Sequence, residues 1–388
     1  MSKNIVFCAD GSWNGPGKDF DDNEVSTDPS NVLKLYHWLA GRDTIGSTKF
    51  AGEAERMLVD PTGKVIQVSK YIDGVGYDSN WLVKVLGGVF GAGLITRLVR
   101  GYTFISRNYE LGDKIHIYGF SRGAYTARAL ADFIVNQGLL DATKIDLTQK
   151  EDAYRMGCAA WSQYQKSRTL AKGGNFLQKL NRTLVDLPLF FTTPSVAPVY
   201  VSARVELVGV WDTVGALGIP FYGLHDGRID AFEFAGTNLH PHIAHGRHGI
   251  SLDEMRIDFT PNIWSPRENV NQVLFAGAHA DIGGSYPSSE SGLSDCALNW
   301  MVEESIPVGV LFDKVPDGYA PCDIGRANEP WECHPFDRFP AQFRFVRKFP
   351  DFAGLKPHAS LTKRIGQTVN YLPSGNSFKY APANIPIV

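Results

Sequence analysis

The stretch from Lys114 to Gln137 constrains the fold more than any other part of the chain. Lys114-Ile115-His116-Ile117-Tyr118 alternates in the period of a strand and runs without a spacer into Gly119-Phe120-Ser121-Arg122-Gly123. Ala124 to Gln137 then reads as a helix. The same order recurs elsewhere. Asn4 to Ala9 reads as a short buried strand, Val65 to Ile72 as a second, Arg204 to Val210 and Gln272 to Ala276 as later ones. Helical spacing lies between them, with Val32, Leu35, Tyr36 and Leu39 on one face behind a cap at Ser30 or Asn31. Leu94, Leu98, Tyr102, Ile105 and Tyr109 mark another helix, and Leu293 to Glu304 a third. Strand and helix in alternation predict an α/β fold with a mostly parallel sheet and helices on both faces.

Residues 41–64 read as irregular, and 15–29 as a polar surface loop. Residues 141–200 break the alternation with two predicted helices, near 149–168 and 172–185. We read this as an insertion packed over the sheet, a candidate lid. The tail 306–388 is rich in Pro and aromatic residues and reads as an irregular extension wrapping the domain. The 388 residues fit one enlarged domain, 1–388, better than two or three small ones.

Composition narrows the function classes. The 44% of apolar residues excludes a disordered chain. Lys plus Arg number 38 against 41 Asp plus Glu, a net charge of −3, which lacks the basic surplus of a nucleic-acid binder. Contact with a membrane surface would then rest on local apolar residues rather than net charge. The N-terminus has too short an apolar run for a signal peptide, and the longest such run, Val85 to Ile95, is too short to span a bilayer. Synthesis in the cytoplasm without a cleaved signal is the expectation. Five Cys without a C-x-x-C pair argue for reduced thiols, although Cys322 and Cys333 could pair in an oxidising compartment.

The chemistry concentrates around Ser121. G-x-S-x-G between a strand and a helix is the pattern of a nucleophile elbow, in which a tight turn flanked by Gly lifts the Ser hydroxyl above the sheet at a helix N-terminus. A Ser hydroxyl needs a base to take its proton and a carboxylate to orient that base. Asp212 and His279 follow later strands in the expected chain order, Ser, Asp, His. Asp212 could instead cap a helix, and His279 could be a buried structural residue. His248 competes as the base. The N–H of Arg122 is one oxyanion donor, and the turn at Asp10 and Gly11 is the candidate for the second.

Two other motifs point elsewhere. His240, His242, His245 and His248 have a spacing that resembles a metal cluster, yet no Cys lies near and no H-E-x-x-H helix is present, so a polar loop without metal is expected. Gly87 to Gly93 lacks the Lys-Ser/Thr of a phosphate loop and reads as a flexible apolar loop or a close packing site, not a nucleotide site. No cofactor is implied.

Several ordered motifs carry a family resemblance. They are Ile5 to Asn14, Ser30-Asn31-Val32, Tyr71 to Gly76, Gly119 to Arg128, Val210 to Gly215, His248 to Glu254 and Gly277 to Gly284. Together they resemble the DUF2235 family, the Tle1-like type VI secretion phospholipases with an α/β-hydrolase fold. The resemblance implies Ser121 as nucleophile, Asp212 as acid and His279, rather than His248, as base. It implies that Asp10 and Gly11 line the oxyanion region, and that His248, Asp253 and Asp281 lie behind the triad or beside the substrate. It further implies a phospholipid or other acyl-ester substrate, a VgrG-type carrier, an immunity protein and release into a target-cell periplasm. Family members usually carry a further membrane-anchoring region, for which these residues show no counterpart. A carboxylesterase on soluble or polymeric esters and a silent lipid-binding or scaffold module are the alternatives.

Overall fold

The computed structural model describes residues 2–11, 28–44, 52–74, 89–172, 197–214, 238–256, 259–313, 319–333, 344–350 and 354–386. In chain order the central elements are β1 (Asn4–Ala9), α1 (Asn31–Trp38), β2 (Arg42–Asp43), β3 (Glu53–Val59), β4 (Val65–Ile72), α2 (Val89–Asn108), β5 (Lys114–Phe120) and α3 (Arg122–Gln137). There follow β6 (Leu139–Leu140), α4 (Lys150–Lys172), β7 (Tyr200–Val201), β8 (Val205–Trp211), β9 (Ile243–Ser251), β10 (Val270–Phe275), α5 (His279–Gly283) and α6 (Gly292–Ser305). The tail adds β11 (Ala327–Asn328), β12 (Lys356–Pro357), α7 (Ala359–Arg364), β13 (Thr368–Leu372) and β14 (Ser377–Lys379).

Nine strands form the main sheet in the order β12-β10-β9-β8-β5-β1-β4-β3-β2. All neighbours from β12 to β4 are parallel, and β3 and β2 continue antiparallel at one edge. Side chains of β1 alternate between two apolar layers, as the strand period requires. Ile5, Phe7 and Ala9 pack under α2, α3 and α4, while Val6 and Cys8 pack under α1 and α6. The α/β class and the placement of helices on both faces are as the sequence predicts.

Four local expectations need correction. Residues 41–64 are not irregular throughout, because Glu53–Val59 pairs antiparallel with β4 on one side and with the short edge strand β2 on the other, and none of its seven residues is fully buried. That mixed polarity hid it from a search for buried runs. The His-rich stretch is not a loop throughout: Ile243–Ser251 is β9, an interior strand of the sheet. Nor is the tail irregular throughout, since among its described residues β12 joins the main sheet beside β10, and β11, β13 and β14 form a small sheet of their own. The Gly-rich run is helical in its second half, because α2 begins at Val89.

The insertion enters and leaves at one place, where β6 and β7 pair antiparallel. Its described helix, α4, belongs to the outer helical layer. Trp161 and Tyr164 lie against Phe133 of α3 with ring centroids 5.2 and 5.1 Å apart. The second predicted helix, 172–185, lies almost wholly outside the described residues. No helix among the described residues is long and apolar enough to cross a membrane. All five cysteines are free thiols, Cys322 and Cys333 included.

Candidate active site

Parallel strands end together, so residues just past β5, β8 and β10 meet at one edge of the sheet. Register pairs Phe120 with Trp211 at the ends of β5 and β8, and the Ser121 N–H donates to the Trp211 carbonyl at 3.1 Å. Ser121 and Asp212 are therefore held side by side. Both have the left-handed backbone that side chains rarely adopt, with φ of 56° and 36°. Such strain persists only where surrounding packing dictates it. At the elbow the cause is visible. A Cβ on Gly119 would lie 2.3 Å from the Gly123 carbonyl oxygen, and one on Gly123 would lie 2.2 Å from that of Ala9. The turn is tight because α3 starts against the end of β1, which only Gly at both flanks permits.

Asp212 is fully buried and fully paired. Its Oδ2 accepts from His279 Nδ1 at 2.6 Å, and its Oδ1 accepts from the Ser251 N–H at 3.0 Å. Arg347 grips both oxygens, at 2.8 and 2.9 Å. Burial alone would raise the Asp212 carboxyl, but Arg347 and His279 overcome it and hold it well below the usual carboxylate range. An ionised Asp212 can only accept, so Nδ1 of His279 carries the proton and Nε2 is left as the basic nitrogen. Burial lowers the His279 pKa against the opposing pull of Asp212, which favours the neutral ring. The ring is clamped between Phe120 and Phe259, with centroids at 4.6 and 4.9 Å.

The turn that presents His279 is fixed by three separate carboxylates. The N–H of Gly277 donates to Asp253 at 2.7 Å, that of Ala278 to Asp281 at 2.9 Å, and that of His279 to Glu254 at 3.1 Å. Each carboxylate has a second holder, namely Tyr380 for Asp253, Asn328 for Asp281 and Arg256 for Glu254. Burial pushes Asp253 up to about 6 and Asp281 up to about 7. Glu254 is also buried, but its ion pair with Arg256 brings it down to about 2. Asp281 is therefore a buried brace behind the turn that carries His279.

His248 sits on β9, one strand from Asp212, with no exposed surface. Its Nε2 accepts from the Thr213 N–H at 3.1 Å, so the lone pair a base would need is already engaged. Burial drops its pKa to about 3. It supports the loop that carries Asp212. His240 and His242 have rings 5.2 Å apart on the turn before β9, and His245 lies on β9.

Asp10 follows β1 directly and is buried. Its carboxylate accepts from Ser30 Oγ at 2.6 Å, the Tyr71 hydroxyl at 2.7 Å and the Gly11 N–H at 2.7 Å. Burial outweighs these bonds and pushes its carboxyl up to about 7. The Asp10 carbonyl would lie 2.4 Å from a Cβ on Gly123, so this turn abuts the elbow. The Gly11 N–H is directed at the Asp10 carboxylate. Arg122 is the first residue of α3, so its N–H lies at the positive end of that helix's dipole.

The sequence reading missed Arg347, Ser251, Arg256, Asn328 and Tyr380, and gave Glu254 no role. Ser251 and Glu254 lie inside the His248–Glu254 motif, which was a usable signal. Arg347 had none, being one cation in a tail without periodicity.

A family model described as the catalytic domain of Tle1-like phospholipase effectors of the type VI secretion system matches residues 3–304. An uncharacterized protein of Saccharomyces cerevisiae is 27% identical over 340 residues, covering 84% of this chain and 42% of its own length. A crystal structure of an uncharacterized Pseudomonas aeruginosa protein superposes with a TM-score of 0.40 at 16% identity, covering 83% of this chain and 48% of that one. A structure of the Tle1 effector bound to the VgrG spike of the type 6 secretion system has a TM-score of 0.38 at 17% identity, covering 76% and 53%. The chain thus spans about half the length of the relatives it matches.

Proposed function

Since the chain belongs to the family of Tle1-like phospholipase effector catalytic domains, we propose that it is a serine hydrolase that cleaves the acyl ester bonds of glycerophospholipids. The observation that carries the reading is the 2.6 Å bond from His279 Nδ1 to Asp212, formed beside a strained Ser121 at the mouth of parallel strands. In this mechanism Ser121 Oγ attacks the ester carbonyl while His279 Nε2 takes its proton. Asp212 holds the ring in the required tautomer and stabilises the imidazolium. The Arg122 N–H, at the positive end of α3, stabilises the oxyanion, a contribution worth on the order of 3 kcal/mol per donor. The Asp10–Gly11 turn, wedged against Gly123, positions that donor. His279 then returns the proton to the leaving alcohol, and water, deprotonated by the same nitrogen, resolves the acyl-enzyme.

Family membership also supports export by a type VI apparatus on a VgrG-type carrier, with an immunity protein guarding the producer and action on the periplasmic face of a target membrane.

The test pairs wild type with Ser121→Ala on vesicles of phosphatidylethanolamine and phosphatidylglycerol, with released fatty acid read by mass spectrometry. Wild type releases fatty acid and the folded variant does not. Equal rates would refute the serine mechanism. Turnover of p-nitrophenyl butyrate with intact vesicles would shift the substrate to soluble esters.

A further inference from the structure

We propose that Arg347 is a positioning residue of the catalytic acid, fixing the aim of Asp212 and setting the acid limit of activity, so that the C-terminal segment is part of the catalytic machinery. This rests on the Ser121–His279–Asp212 reading above.

The contact is a built one. Arg347 is 2% exposed and Asp212 is fully buried. Its two terminal nitrogens donate to both Asp212 oxygens, and also to the Ser251 and Phe259 carbonyls. Ser251 ends β9 and Phe259 meets the His279 ring edge-on. The guanidinium therefore ties together the acid, the strand end beside it and the ring clamp. A planar fork that meets a carboxylate edge-on fixes the carboxylate plane, which a single ammonium cannot do. That plane decides where Oδ2 points, and Oδ2 is the atom bonded to His279. Arg347 is held in turn, since Asn384 donates to its carbonyl at 3.2 Å and to the Leu252 carbonyl at 3.0 Å. Both Arg347 and Asn384 lie beyond the residues 3–304 that define the family's catalytic domain.

The electrostatic consequence follows from the charges around the pair. On the His279 side stand Glu254 and Arg256, ion-paired to each other at 2.8 Å. On the Asp212 side stand His248, neutral above about 3, and Arg128, stacked on Trp264. Arg347 is the cation bonded to the carboxylate itself. By drawing on the Asp212 charge it weakens the pull of Asp212 on the imidazolium, which keeps His279 unprotonated to lower pH.

The experiment uses the full chain with Arg347→Met, Arg347→Lys and Ser121→Ala, assayed on p-nitrophenyl butyrate from pH 5 to 9. Arg347→Met should lower kcat about 100-fold and move the acid limb of kcat/KM up by about one pH unit. Arg347→Lys keeps the charge but not the fork, so kcat should fall comparably while the acid limb stays in place. Wild-type kcat in Arg347→Lys, or an unmoved acid limb in Arg347→Met, would overturn the proposal. If Arg347→Met does not fold, the Lys variant decides alone through kcat. Undiminished hydrolysis by Ser121→Ala would instead overturn the triad reading beneath it.

Discussion

Gly123→Ala is the smallest change that tests how the elbow is held. The added Cβ would sit 2.2 Å from the Ala9 carbonyl oxygen and 2.4 Å from that of Asp10, where ordinary contact begins near 3.4 Å. Something must therefore move by about 1 Å. Ala9 cannot give, because it is paired in register with Ile72 on one side and Gly119 on the other. The start of α3 must give instead, taking the Ser121 backbone and the Arg122 N–H with it. Overpacking of this kind costs about 1–3 kcal/mol of stability. A displacement of about 1 Å at the reacting atoms costs about 100-fold in rate. The fold should thus survive while activity does not. The assay is the rate of fluorophosphonate labelling at Ser121, with thermal melting alongside. A variant that melts within a degree of wild type and labels within twofold of it would refute the claim that β1 positions the nucleophile.

Two further outcomes follow from the same geometry. His248→Leu strands the Thr213 N–H, so urea titration should show a loss of about 1–3 kcal/mol, while Ser121 labelling persists within tenfold; a folded but unlabelled variant would make His248 the base after all. Glu254 has its folded pKa at about 2 against an ordinary 4.5, so its stabilisation is present above pH 4.5 and disappears as pH falls toward 2. Glu254→Gln should flatten about 3 kcal/mol of that acid-limb decline in stability measured by urea titration at stepped pH, and an unchanged slope would show that the Arg256 pair is not what holds it.

Legibility in the sequence tracked contact distance along the chain. The β5–Ser121–α3 unit was readable because its determinants are neighbours: a strand period, two Gly and a helix period within 24 residues, Lys114 to Gln137. Ser30 was readable as a cap because its Oγ accepts from the N–H of Leu33, three residues on. β3 was missed because an antiparallel strand near the sheet edge keeps every residue at least partly exposed and lacks a continuous apolar run. β9 was missed because three polar side chains, His245, Arg247 and His248, interrupt its pattern, and two of them are met by partners distant in sequence. Arg247 pairs with Glu304, 57 residues away, and His248 with Thr213, 35 away.

The sequence by itself determined the α/β class, the tight strand–turn–helix unit around Ser121, and the order in which Ser121, Asp212 and His279 follow their strands, because each depends on local periodicity or on turn chemistry within a few residues. Only the tertiary structure decided how those groups are aimed. Asp212 meets His279 across 67 positions and Arg347 across 135, and Asn328 reaches Asp281 across 47. No local preference encodes a buried carboxylate's partner. Desolvation makes an unpaired charge costly wherever it is buried, and the fold alone determines which donor arrives to meet it.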